Sequence, residues 1–220
     1  MPVEMIGRLR QWVPHLRFHT AWGMTEATSP GTVMPFLSWE AWSEHLGSSG
    51  WPSPPNECCV VDADGRVLAP NVAGELLLRG PMVAKGYWQN PQATAQTFAD
   101  GWLHTGDIAR IDTEGYVYIL DRLKDMINRG GEKVYSIEVE NVLHNHPAIL
   151  EAAVVGMPDP VYGEQVKAVV VKIPGAHLSA QDVQRWVRER LAGFKVPAAV
   201  EFVDALPRNA GGKVRKALLR

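Results

Sequence analysis

Between His104 and Glu140 the chain reads HTGDIARIDTEGYVYILDRLKDMINRGGEKVYSIEVE. Thr105-Gly106-Asp107 reads as a turn between two strand-like runs. Further on, the charged run Asp121-Arg122-Leu123-Lys124-Asp125 separates Tyr116–Leu120 from the Gly130-Gly131 loop. An exposed Asp in a tight turn can accept two hydrogen bonds from a vicinal diol such as ribose. An Arg just beyond the strand can reach the same sugar or its phosphate. The same residues also make an ordinary surface hairpin with a solvated charge run.

Working outward, 220 residues suffice for one good core or two modest domains. With 46% hydrophobic and 21% charged residues the composition is that of an ordinary globular protein. No apolar run approaches a membrane span, and the N-terminus has no signal-peptide pattern. Cys58 and Cys59 are the only cysteines. Neighbours in a strand point to opposite faces, which suits neither a disulfide nor a metal site, so they read as packed thiols in a reducing cytoplasm. Residues 1–120 carry 7 basic and 12 acidic side chains, a net −5, whereas residues 121–220 carry 15 and 12, a net +3. The sign change at Asp121 marks a boundary and a basic second half suited to an anionic ligand. No like-charge block is dense enough to argue for nucleic acid.

Along the chain, residues 2–13 read as a helix on the spacing of Val3, Ile6, Leu9 and Val13, stopped by Pro14. Arg17–Trp22 reads as a short strand running into Gly23. Thr25-Glu26 at its end offers a hydroxyl for a phosphate and a carboxylate for Mg²⁺, or else simply a capping turn. Gly47-Ser-Ser-Gly50 lacks the Gly-Lys-Ser/Thr of a phosphate loop and reads as a turn. Glu57–Asp62, Glu75–Arg79 and Tyr116–Leu120 are strand runs of a small antiparallel barrel or sheet, with a short helix at Thr94–Phe98. Beyond Asp121 the pattern is α+β. Ser136 reads as an N-cap, and Val139, Val142, Leu143 and His146 follow at helical spacing. Ala152–Gly156, Val166–Lys172 and Ala199–Val203 are strands, and Ser179 to Asp182 forms a capping box before a further helix. His144 and His146 do not share a helix face, so a metal pair is not expected.

Trp22-Gly-Met-Thr-Glu26, Gly74-Glu-Leu-Leu-Leu-Arg-Gly80, Gly86-Tyr-Trp88, the Asp107 and Arg122 segment, and Leu206-Pro-Arg-Asn-Ala-Gly-Gly-Lys-Val214 occur in this order. Together they resemble the adenylate-forming superfamily: acyl- and aryl-CoA synthetases, the adenylation domains of peptide synthetases, and luciferases. Met126–Tyr135 is most similar to the fatty-acyl and aryl ligases. The resemblance implies an α/β plus α+β architecture. Residues 1–121 would be the end of a large AMP-binding domain, incomplete, with a small antiparallel β-barrel subdomain. Residues 122–220 would be a small mobile C-terminal domain.

It also implies roles. Trp22 and Gly23 would line the nucleotide, with the Trp22 ring against adenine where the family usually has Tyr. Thr25 would hold the α-phosphate, Glu26 would bind Mg²⁺, and Asp107 and Arg122 would hold the ribose of ATP. Lys213 would be the adenylating lysine, although on its own it reads as a surface lysine. Lys124 would be the hinge between adenylating and thioester-forming poses. Gly130 and Gly131 would flank the pantetheine arm of coenzyme A, or merely close a hairpin. The implied reaction takes a carboxylic acid, fatty in the first instance, through an acyl-adenylate to acyl-CoA. The family's Ser/Thr/Gly-rich phosphate loop has no counterpart here, so the expectation is a C-terminal part of a synthetase, weak or inactive alone, with a missing N-terminal part as partner. Two alternatives stand beside it: an adenylation domain loading a carrier protein, for which no carrier motif follows Arg220, and a non-catalytic binding or regulatory remnant.

Overall fold

The computed structural model describes residues 3–15, 17–35 and 37–220, and divides into two compact units, up to Leu123 and from Lys124 onward. In the first, α1 (Val3–Trp12) buries Ile6 against Met34, Trp42 and Tyr116. Val13, which the spacing placed in this helix, lies just past its end and is exposed. Pro2 and the side chain of Val3 lie outside the described residues. The strand expected over Arg17–Trp22 shrinks to β1 (Ala21–Trp22), which pairs antiparallel with β2 (Thr32–Val33). A short helix, α2 (Trp39–Ser43), follows, capped by the Ser38 hydroxyl, and β3 (Trp51–Pro52) completes this three-stranded sheet. The Gly47–Gly50 turn is bolted to the neighbouring sheet: the Ser48 and Ser49 hydroxyls both donate to the Val117 carbonyl, at 2.9 and 3.1 Å. Its polar groups are used internally, which leaves no phosphate loop.

The second sheet is antiparallel and five-stranded. Its strands are β4 (Glu57–Val61), β5 (Gly74–Arg79), β6 (Phe98–Ala99), β7 (Trp102–Ile111) and β8 (Val117–Arg122), with α3 (Pro91–Thr97) preceding β6. β5 pairs along one edge of β7, and β6 and β8 pair with successive stretches of it. Leu76, Leu78, Leu103, Ala109 and Val117 fill the core around it. Cys58 and Cys59 are free thiols on adjacent positions of β4.

The second unit opens with a hairpin of β9 (Ile127–Arg129) and β10 (Glu132–Val134), followed by α4 (Ser136–His144). Ser136 is not the N-cap. It lies inside the first turn, fully buried, where its hydroxyl accepts from Lys216 Nζ at 2.6 Å, and Tyr135 holds the cap position without capping the helix through its side chain. A partly buried ammonium thus claims the hydroxyl that the sequence pattern assigned to the helix end. The long hairpin β11 (Ile149–Asp159) and β12 (Gly163–Lys172) is apolar on both faces, because both are covered. Val154, Val166, Ala168 and Val170 pack under α4 and α5 (Ala180–Arg188), while Val155, Val169 and Val171 pack on Leu206 and Leu219. Each such valine contributes about 1.5–3 kcal/mol on burial. The Ser179–Asp182 capping box starts α5 in the expected place. β13 (Ala199–Phe202) then joins β12 in parallel. No helix of the described residues is long and apolar enough to cross a membrane.

Candidate functional site

Asp107 is not in a turn, and it is not exposed. It sits within β7, only 4% exposed, beside a bulge at which Thr105, Gly106 and Asp107 stand opposite the single residue Leu76. Gly106 makes the bulge with φ +66°, a left-handed conformation that glycine adopts without strain. Side chains replace the missing ladder bonds: the Thr105 hydroxyl donates to the Leu76 carbonyl at 2.7 Å, and the Gly106 N–H donates to Glu75 Oε1 at 3.2 Å. His104 Nδ1 lies 3.0 Å from the other Glu75 oxygen. The Glu75 of the Gly74–Gly80 motif therefore clamps the bulge that aims Asp107.

The Asp107 carboxylate is held on both oxygens. The Trp22 indole N–H donates to Oδ2 at 2.8 Å, and Arg122 Nε lies 3.3 Å from Oδ1, directly across the β7–β8 ladder. The Arg122 side chain is 54% exposed, so its ion pair contributes about 0–1 kcal/mol. A hydrogen bond to a charged group of this burial contributes about 1.5–3 kcal/mol. The indole, not the guanidinium, is therefore the stronger constraint on the carboxylate. Asp121, also buried, accepts from the Arg122 backbone N–H at 2.8 Å and fixes the end of β8.

Gly23 follows β1, and Thr25 and Glu26 open a 3₁₀ turn, Thr25–Ala27, rather than ending a strand. The Glu26 carboxylate accepts from the Tyr87 hydroxyl at 2.6 Å, and its carbonyl accepts from Ala84 N–H at 2.8 Å. Gly86-Tyr87 is thereby tied to Thr25-Glu26. This pairing had no sequence signal, because the two residues are 61 positions apart. The hydrogen bond to Glu26 is the main reason that the Tyr87 hydroxyl titrates above its ordinary range. Among the described residues no group of three His, Cys, Asp or Glu could hold a metal ion by itself. A single carboxylate suits Mg²⁺ that is also bound by substrate phosphates and water, which is how this ion is usually held. Glu26 fits that pattern.

In the second unit, Lys213 is exposed on a hydrogen-bonded hairpin turn, not on a loose glycine loop. Its N–H donates to Asn209 Oδ1 and its carbonyl accepts from the Asn209 N–H, both at 2.9 Å. Arg208 donates to the Gly212 carbonyl at 2.7 Å across the same turn. Gly130 and Gly131, with φ +61° and +95°, form the β9–β10 turn, whose Gly131 N–H is caught by Asn128 Oδ1 at 3.0 Å. Lys124 is the first residue of this unit, with its side chain exposed and its carbonyl accepting from Arg220.

Two family sequence models match the chain: AMP-binding enzyme over residues 1–88, and AMP-binding enzyme C-terminal domain over residues 138–213. The chain belongs to the adenylate-forming, AMP-binding superfamily. Among its relatives in that superfamily, a feruloyl-CoA synthase from Amycolatopsis sp is 44% identical over 93% of this chain and 41% of its own length. A long-chain-fatty-acid–CoA ligase from Bacillus subtilis is 43% identical over 100% of this chain and 39% of its own length. The chain thus spans less than half of these AMP-binding relatives. Among solved structures, an o-succinylbenzoate CoA synthetase from Bacillus subtilis, in complex with its acyl-adenylate intermediate, matches with a TM-score of 0.90 and 37% identity, over 100% of this chain and 44% of that one. The same synthetase has been solved with ATP and magnesium ion.

Proposed function

We propose that this chain carries the ribose-anchoring and adenylating parts of an ATP-dependent, AMP-forming acid–thiol ligase, an acyl-CoA synthetase. A carboxylate oxygen attacks the α-phosphorus of ATP. The bond from that phosphorus to the β-bridging oxygen breaks, pyrophosphate leaves, and an acyl-adenylate forms. The thiolate of coenzyme A then attacks the acyl carbon and expels AMP. Because the first step joins two anions, positioning and charge neutralisation carry most of the catalysis.

In this reading the Asp107 carboxylate accepts from the ribose hydroxyls, Arg122 reaches the same sugar or its phosphate, the Trp22 ring and Gly23 line the adenine side, and the Thr25 hydroxyl meets the α-phosphate. Glu26 contributes one carboxylate to Mg²⁺, which when bound offsets phosphate charge. Lys213 is the cation for the α-phosphate and the acyl oxygen. Lys124, at the start of the second unit, is the hinge, and the Gly130-Gly131 turn borders the path of the pantetheine arm. The observation that carries the reading is the buried Asp107 carboxylate, aimed by a glycine bulge and held on both oxygens.

We read the acid as fatty, supported by the long-chain ligase that matches the whole chain. An aryl acid is the second reading, supported by the feruloyl-CoA synthase. These 220 residues include no Ser/Thr/Gly-rich loop followed by lysine to grip the β- and γ-phosphates, so we propose weak or absent turnover by them alone. The test is ATP-dependent acyl-CoA formation from fatty and aryl acids. The chain would be assayed alone and fused behind the N-terminal part of the Bacillus subtilis long-chain ligase, each with and without Lys213→Ala. Expected are turnover by the fusion and loss of acyl-adenylate on Lys213→Ala. An active short chain would overturn the need for the phosphate loop. A fusion that folds and binds ATP yet makes no adenylate would overturn the ligase reading.

A further inference from the structure

We infer that Trp22 is a positioning residue for ribose, acting through Asp107: its indole N–H fixes which way the carboxylate presents its acceptors to the sugar. The inference rests on Asp107 being the ribose acceptor, and it assigns to Trp22 a role distinct from contact with the base. The indole nitrogen donates to Asp107 Oδ2 at 2.8 Å, across 85 residues of sequence. An indole is donor only, so this bond has one polarity whatever the state of its partner.

The ring that carries the donor is itself fixed. Trp22 is in β1, its backbone paired with Thr32, and its carbonyl accepts from Gly31 N–H at 2.9 Å. Its six-membered ring lies on Gly31 so closely that a Cβ there would meet Cζ3 at 2.7 Å. It also packs at the seam between two core clusters, one with Leu76, Ala109 and Val117, the other with Ala27, Leu78 and Leu103. Asp107 is aimed from its own side by the Gly106 bulge. Two rigid elements thus meet at one hydrogen bond, and a carboxylate whose rotation is stopped on one oxygen offers the other lone pairs in fixed directions. A tyrosine at this position would carry its donor at the tip of a six-membered ring, with a different reach and a hydroxyl that can also accept. The Trp is therefore a specificity feature of this chain, and the class of ligand it serves is a nucleotide with a free 2′,3′-diol.

The experiment is calorimetric binding of AMP and of 2′,3′-dideoxy-AMP to the whole 220-residue chain and to Trp22→Phe. The wild type is expected to prefer AMP, and Trp22→Phe to weaken AMP by roughly tenfold more than it weakens dideoxy-AMP. Equal weakening of both ligands would mean that Trp22 acts only as a stacking or packing group, and a variant that keeps the full preference for AMP would likewise overturn the inference. A wild type that fails to bind AMP, or that does not prefer it, would overturn the ribose assignment of Asp107 itself, and the inference with it. If Trp22→Phe does not fold, benzothienylalanine incorporated at position 22 keeps the ring shape and removes only the N–H. The same loss of preference is expected there, and its retention would overturn the inference.

Discussion

The Tyr87 hydroxyl lies 2.6 Å from Glu26 Oε1, joining two short motifs that stand 61 residues apart. Tyr87 is in turn anchored by its N–H to Thr94 Oγ1 at 2.9 Å and by an edge-on contact with Phe98. Its phenol is the partner that orients the carboxylate proposed to meet Mg²⁺.

Groups that orient a metal-binding carboxylate typically change metal affinity by about 10–100-fold when removed. Tyr87→Phe is therefore expected to raise the Mg²⁺ concentration that half-saturates ATP binding by about tenfold, with AMP binding in the absence of metal unchanged. Calorimetric Mg²⁺ titrations at fixed ATP check this. Because the phenol titrates above its ordinary range, about 10, it stays protonated through neutral pH, and its contribution is present below that range and lost only as pH rises through it. No change attributable to Tyr87 is expected between pH 7 and pH 9.

Gly106 has open space where a Cβ would stand, so a substitution there is opposed by backbone conformation alone. Gly106→Ala is expected to cost about 1–2 kcal/mol, read as a lower midpoint in urea unfolding. Gly106→Asn should cost less, because asparagine tolerates the left-handed region. Both are expected to weaken AMP binding more than a surface control such as Gly65→Ala. Unchanged affinity in Gly106→Ala would remove the bulge from any part in aiming Asp107.

His144 and His146 both titrate below the ordinary histidine value, chiefly because burial disfavours the imidazolium, with Glu151 and Asp182 respectively opposing the shift. A depressed pKa means that the unfolded chain binds protons first. The stability these residues confer is complete above about pH 6.5 and is lost as pH falls through the folded-state values. The second unit is expected to melt at lower temperature at pH 5 than at pH 7.5. His144→Gln with His146→Gln should flatten that dependence, and differential scanning calorimetry across this range would reveal its persistence.

Burial pushes the Cys58 thiol up to about 12, with the neighbouring Cys59 adding to the shift. At pH 8 only about one molecule in ten thousand would then carry the thiolate, which is the reactive form. Cys58 is expected to resist iodoacetamide in the folded protein and to react once urea unfolds it, read by peptide mass spectrometry. Rapid labelling of the folded chain at Cys58 would contradict the desolvation of its thiol.

What could be read from the sequence was local. The Ser179–Asp182 capping box and the valine-rich runs of β11 and β12 each depend on residues a few positions apart, and each stands where its pattern put it, whereas the helix expected at Thr94–Phe98 starts earlier, at Pro91 behind the Asn90 cap. The short motifs were legible as a set because their residue types and order are specific. The errors arose where a distant partner overrode a local preference. Thr105-Gly106-Asp107 has the composition of a turn, yet it continues β7, because β5 and β8 pair on either side and Glu75 satisfies the bulge. Ser136 has the chemistry of an N-cap, yet Lys216, 80 residues away, takes its hydroxyl.

The sequence by itself determined the membership of the chain, the order of its elements and the residue types available for chemistry, since propensity, capping and periodicity act over a few positions. The tertiary structure alone decided that Asp107 is buried, that Trp22 and Arg122 hold it, and that Tyr87 holds Glu26. A hydrogen bond between residues 61 or 85 positions apart leaves no trace in local pattern. It forms only once the tertiary fold has brought the partners together, and at the buried Asp107 a misaimed partner would leave the carboxylate unsatisfied.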